Sequence, residues 1–149
     1  MKKVFIDTNI FLEYLEQRRE YIAVSKILSA VENREIEAVI SVGSAYTLAY
    51  LVRMELKKRG IHRPEQTVQL RDVLKTILSL VKVVGTGHKN MLAALDDSAF
   101  DDMEDSFQYR CALQNKCDAL VTINLRDFHG AEASKIEVLS PTEFANKYI

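Results

Sequence analysis

Five short apolar runs, separated by stretches of helical periodicity, constrain the fold of this chain more than any other feature. They cover residues 4–6, 38–40, 81–84, 119–122 and 136–139. Runs this short, with little polar alternation, suit strands covered on both faces, as in a parallel sheet; a half-solvated strand would alternate apolar and polar residues. Between them, apolar side chains recur on one helical face, as in Ile22, Ile27, Leu28 and Val31, and again in Val68, Leu70, Val73, Leu74, Ile77 and Leu78. The pattern predicts helices over 10–15, 20–32, 46–58, 64–80, 89–95, 101–114 and 141–147. The punctuation agrees. Asp7-Thr8-Asn9 are helix-start residues, Gly60 closes a helix, Pro64 suits a first turn, and Ser140-Pro141-Thr142-Glu143 reads as a capping box.

Strands alternating with helices predict an α/β fold: a three-layer α/β/α sandwich around a central, mainly parallel sheet of about five strands. The chain has 149 residues, with only five Gly and two Pro, and shows no repeat and no linker, so it reads as a single domain over 1–149. A chain of this length buries a sizeable core without disulfides. Its two cysteines, Cys111 and Cys117, form no Cys-x-x-Cys pair and read as buried free thiols of a reducing compartment. The opening apolar stretch is far too short for a signal-peptide core, and no window approaches the ~18 apolar residues of a membrane span. The expectation is a cytoplasmic protein. Net charge is −1, so no global basic field attracts a polyanion; such contact would need a local patch or a metal ion.

In parallel sheets, ligands bind outside the carboxyl ends of the strands. Asp7 follows the first run, and it is either a helix cap or a carboxylate aimed at the crevice. In the segment 96–105, six of ten residues are acidic. If the helix begins at Asp101, then Asp101 and Asp105 share a face at i, i+4. Their repulsion is either relieved by a bound cation or tolerated as a solvated first turn. Thr122, Asn124 and Asp127 follow the fourth run, where ordinary turn chemistry also favours Asn and Asp. Taken together, these hard oxygen donors suit Mg²⁺ or Mn²⁺ better than zinc. The three histidines, His62, His88 and His129, are scattered and read as surface residues.

Three segments carry a family resemblance. Val4-Phe5-Ile6-Asp7-Thr8-Asn9-Ile10-Phe11-Leu12 resembles the opening motif of PIN domains. Asp101-Asp102-Met103-Glu104-Asp105-Ser106-Phe107-Gln108-Tyr109 resembles their central acidic motif. Asp118 to Phe128, with Thr122-Ile123-Asn124-Leu125-Arg126-Asp127, resembles their third. Order, spacing and length fit a stand-alone member across essentially the whole chain. The resemblance implies the sandwich fold, Mg²⁺- or Mn²⁺-dependent ribonuclease activity and, among small members, VapC-type toxins paired with an antitoxin and commonly homodimeric. It implies Asp7 and Asp105 as metal ligands, Asn124 and Asp127 as further catalytic positions, and Thr8, Asn9 and Thr122 as supporting hydrogen-bonders, with Asp101 and Glu104 nearby.

One departure stands out. Such domains usually carry a Glu about seven residues past the second strand, and Thr47 occupies that position. Glu55 lies eight residues further, about 12 Å along a helix, too far to substitute. Glu104 could supply a carboxylate from the acidic helix. The expected function is RNA phosphodiester hydrolysis, with Lys57, Lys58, Arg59 and Arg63 either guiding RNA or forming a solvated helix end. The alternative is a catalytically weakened or inactive module that binds RNA or protein. A phosphoryl-accepting domain is disfavoured, because Asn9 stands where a second Asp would be required.

Overall fold

A computed structural model describes residues 1–132 and 135–149. Its strands are β1 (Lys2–Ile6), β2 (Ile36–Ser41), β3 (Lys82–Val84), β4 (Ala119–Val121) and β5 (Glu137–Leu139), in spatial order β3-β2-β1-β4-β5. Every neighbouring pair is parallel, with Val4 opposite both Ala38 and Ala119, and Ile40 opposite Val83. The helices are α1 (Ile10–Leu15), α2 (Tyr21–Glu32), α3 (Val42–Lys58), α4 (Glu65–Leu80), α5 (His88–Asp96), α6 (Met103–Gln114) and α7 (Pro141–Tyr148), with a 3₁₀ turn over Leu125–Phe128.

Strand periodicity builds the three layers. Val4, Ile6, Ile40 and Val121 join one buried cluster with Ile10, Val24, Ile27, Leu48, Ile77 and Phe144. Phe5, Val39 and Leu120, each one residue out of phase, face the opposite way and pack with Phe100, Tyr109, Ala112 and Phe128. Successive strand side chains point to opposite faces, so uninterrupted apolar runs are what a sheet sandwiched between two helical layers requires. The predicted α/β/α sandwich is the observed one.

Two helix starts differ from the sequence expectation by more than one residue, and both bear on the site. Helix α3 begins at Val42, not at residue 46, because Ser41 caps it: the Ser44 N–H donates to Ser41 Oγ at 2.9 Å. Helix α6 begins at Met103, not at Asp101, because Asp102 is its cap and accepts from the Asp105 N–H at 3.1 Å. Such caps satisfy backbone donors that have no partner within the helix. The far end of α3 closes as expected, with Gly60 at φ +78°, where a side chain would be strained. The Ser140 and Glu143 capping box at α7 is present in full.

The chain builds β1, β2 and β3 toward one edge and then returns to place β4 on the other side of β1. The direction of winding therefore reverses between β1 and β4, and the carboxyl ends of these two strands flank the crevice where such sheets hold ligands. Leu120, fully buried on β4 beside the central strand β1, packs this arrangement from the α6 side. Leu120→Ala should cost about 2–5 kcal/mol of stability, read as a lowered urea midpoint at unchanged slope.

Candidate metal centre

Asp7 continues the alternation of β1 and so falls on the Phe5 face, which α6 covers. Its N–H donates to the Val121 carbonyl at 3.0 Å, extending the ladder one residue past the strand. The side chain is 3% exposed. Thr122 Oγ1 donates to Oδ2 at 2.7 Å; the Thr8 N–H at 2.8 Å and Gln108 Nε2 at 3.3 Å donate to Oδ1. The helix-cap reading of Asp7 is thereby replaced. Asn9 holds the cap position of α1, without a side-chain bond, while Asp7 is a buried carboxylate at the crevice.

Asp105 arrives from the first turn of α6 and is 7% exposed. Among the described residues, nothing donates a hydrogen bond to its carboxylate. Burial, and then the charges of Asp7, Asp102, Asp127 and Glu104, push its pKa up to about 7. Glu104 is raised too, by burial and then by Asp7 and Asp102, while hydrogen bonding from Thr8 opposes the shift. Acids from β1, from α6 and from the turn after β4 therefore feel one another's charge at a single locus.

The remaining expected residues divide. Thr8 and Thr122 are buried in this locus. Asn124 is half-buried at the start of the 3₁₀ turn, its N–H donating to Thr122 Oγ1 at 3.0 Å; Asp127 is exposed one residue inside that turn's end. Asp101 is exposed and lies outside α6, so the expected i, i+4 pair with Asp105 does not form. Arg59 pairs with Glu55 at 3.1 Å at the far end of α3. Seventeen helical residues place that end about 25 Å from the capped end at Ser41, so the Lys57–Arg59 cluster does not line the centre. The three histidines are exposed, and both cysteines are buried free thiols, with Cys117 pushed up to about 12 mainly by burial.

Sequence reasoning missed three residues: Ser41, Ser44 and Gln108. Gln108 sits one turn after Asp105 on the same face of α6, and Ser41 ends the strand beside β1, so helical spacing and strand order together would have flagged both. Ser44 Oγ lies 2.8 Å from Thr8 Oγ1, and Gln108 Nε2 donates to Ser44 Oγ at 2.7 Å. Thr47, where an acid is usual, lines a cleft of about 460 Å³ with Ser44, Thr86, Glu104, Phe107 and Gln108.

The donor chemistry fits a hard cation. Asp7 and Asp105 are buried, mutually repelling carboxylates, one of them without a donor, and a bound divalent ion would offset that repulsion. Among the described residues no three His, Cys, Asp or Glu side chains form a ready-made metal cluster. Such a sparse set suits an ion that keeps several of its own waters, as Mg²⁺ does.

Comparison with known proteins decides the family. The PIN domain model matches residues 3–126. The chain belongs to the PIN domain family. This PIN domain is 25% identical to Ribonuclease VapC1 of Aquifex aeolicus (strain VF5) over 153 residues, covering 99% of this chain and 96% of that protein. Its fold matches VapBC-1 from nontypeable Haemophilus influenzae (TM-score 0.63, 16% identity, 94% of this chain and 98% of that one). It also matches VapBC2 from Rickettsia felis bound to a DNA fragment from their promoter (TM-score 0.61, 14% identity, 91% and 96%). No helix among the described residues is long and apolar enough to cross a membrane.

The crowding of Asp105 has a consequence for stability. Its folded pKa lies above the ordinary carboxylate value, so its contribution is intact at low pH and is lost as pH rises toward and through about 7. In metal-free protein, Asp105→Asn should therefore raise the melting temperature at pH 8 and leave it nearly unchanged near pH 4. Calorimetry of both proteins at the two pH values checks this, and an equal shift at both would remove the electrostatic account.

Proposed function

We propose that this PIN domain is a divalent-metal-dependent endoribonuclease that hydrolyses RNA phosphodiester bonds, acting as the toxin of a toxin–antitoxin pair. The observation that carries this reading is the convergence of Asp7 and Asp105 where the sheet reverses its winding, with no cationic side chain among the described residues bonded to either. The relative from Aquifex aeolicus is itself a ribonuclease, and both structural neighbours are VapBC assemblies. In this reading the chain is one cytoplasmic domain that pairs with an antitoxin and forms a homodimer.

Asp7 and Asp105 would hold the ion, Mg²⁺ or Mn²⁺. Bound there, it would lower the pKa of a water molecule, offset charge on the phosphate and allow RNA to approach an acidic site. Asp7 keeps a fixed orientation because Thr122 and Gln108 hold its two oxygens from opposite sides. Among the described residues no donor competes for the Asp105 carboxylate, so its lone pairs are open for coordination. Asn124 and Asp127, at the turn after β4, stand where an amide and a carboxylate can orient water. Glu104 lines the cleft beside Thr47 and offers α6's substitute for the acid missing from α3. Three donors leave Asp7 a single lone-pair direction, on Oδ2, which this reading assigns to the cation and not to a phosphoryl group.

Thr47 gives a second reading some support: a module that binds RNA or protein without cutting. Single-stranded RNA with Mn²⁺ separates the two. The nuclease reading expects cleavage by the parent protein and a loss of about 100-fold or more with Asp7→Asn, beyond the 10–100-fold typical of groups that act only behind a ligand. Equal cleavage by both proteins would remove Asp7 from the mechanism. No cleavage and no uptake of millimolar metal would favour the binding module.

A further inference from the structure

Gln108 is 4% exposed, and its whole amide is engaged. Ser41 Oγ donates to its Oε1 at 2.6 Å. Its Nε2 donates to Ser44 Oγ at 2.7 Å, and its other N–H is shared between Asp7 Oδ1 and Thr8 Oγ1, each at 3.3 Å. The amide has one stable orientation, because a flip would turn its carbonyl oxygen toward the Asp7 carboxylate. Ser41 enforces that orientation. Its single proton goes to the short contact with Gln108 in preference to Ser44 Oγ at 3.1 Å, while its oxygen caps α3.

Counting lone pairs shows what the clamp does. A carboxylate offers about four acceptor positions. On Asp7, the Thr8 N–H and Gln108 occupy both positions of Oδ1, and Thr122 occupies one of Oδ2. One direction on Oδ2 remains. Without Gln108, the carboxylate is held firmly only by its neighbour's backbone and by Thr122, and α3 contributes nothing to its orientation. With Gln108, β2, α3 and α6 are tied to β1 through neutral groups, at a centre where Thr47 supplies no charge.

We propose that Gln108 is a positioning residue: with Ser41 and Ser44 it forms a neutral clamp that aims Asp7 at the cation and stands in for the support an α3 acid would give. The inference rests on Asp7 as a cation ligand. Gln108→Met keeps the side-chain length and removes every hydrogen bond. Ser44→Ala removes the shortest bond to the amide nitrogen and is well tolerated in a helix. Gln66→Met is the matched control. Gln66 is also buried and donates to the Ile61 carbonyl at 3.0 Å, on α4 away from the acids.

The readout is the Mn²⁺ dissociation constant, measured by electron paramagnetic resonance on metal-free full-length protein. Gln108→Met should weaken Mn²⁺ binding about 10–100-fold, the usual loss when a group orienting a metal ligand is removed. Ser44→Ala should shift it in the same direction by less, and Gln66→Met should leave it within about twofold. Gln108→Met within about twofold of the parent overturns the proposal, as does an equal loss in Gln66→Met. Should Gln108→Met not fold, Ser44→Ala decides on the same criterion. Asp7→Asn separates the failures. If it leaves Mn²⁺ binding intact, the metal centre itself is wrong; if it abolishes binding while Gln108→Met does not weaken it, only the clamp is.

Discussion

Like charges held together out of water organise this protein. Asp7 and Asp105 lie 98 positions apart in the sequence and are both buried at the end of the sheet, where burial and then the charge of Asp7 make ionisation of Asp105 costly. Helix caps, strand order and hydroxyl contacts around them hold that arrangement in place. Ser41 and Asp102 each start a helix at the edge of the centre, so the same side-chain chemistry that begins α3 and α6 also fixes where their functional residues stand. A cation is the simplest group that turns this concentrated repulsion into attraction.

The fold was legible because its layers write themselves into the sequence. Uninterrupted runs such as Val4-Phe5-Ile6 have no solvent face and so read as strands covered on both sides; in the structure Val4 and Ile6 enter one buried layer and Phe5 the other. The acids at positions 7 and 105 were legible for a related reason: they follow a strand and open a helix, where a parallel sheet gathers its ligands. The helix starts were less visible. Asp101 and Asp102 are chemically equivalent as caps, so the sequence alone does not choose between them; in the structure Asp102 caps α6. Asp101 is left in solvent as a result.

Gln108 was hidden for a different reason. Its spacing of one turn from Asp105 was a signal, but one that gains meaning only once α6 is laid over the ends of β1 and β2. Thr47 was visible as an absence, yet what fills the gap is not one residue. It is a set of neutral donors from β2, α3 and α6, with Glu104 on the same side of the cleft. A pattern that scores positions one at a time sees a lost acid there, whereas the three-dimensional arrangement shows Asp7 supported by other means.

The central claim is that Asp7 and Asp105 share one cation. A crystal of the protein grown or soaked with Mn²⁺ tests it most directly, through the anomalous signal of the metal. The account predicts one peak within direct coordination distance, about 2.1 Å, of both carboxylates, with water filling the remaining positions. A peak bound elsewhere, or carboxylates that turn away from each other at saturating Mn²⁺, would contradict it.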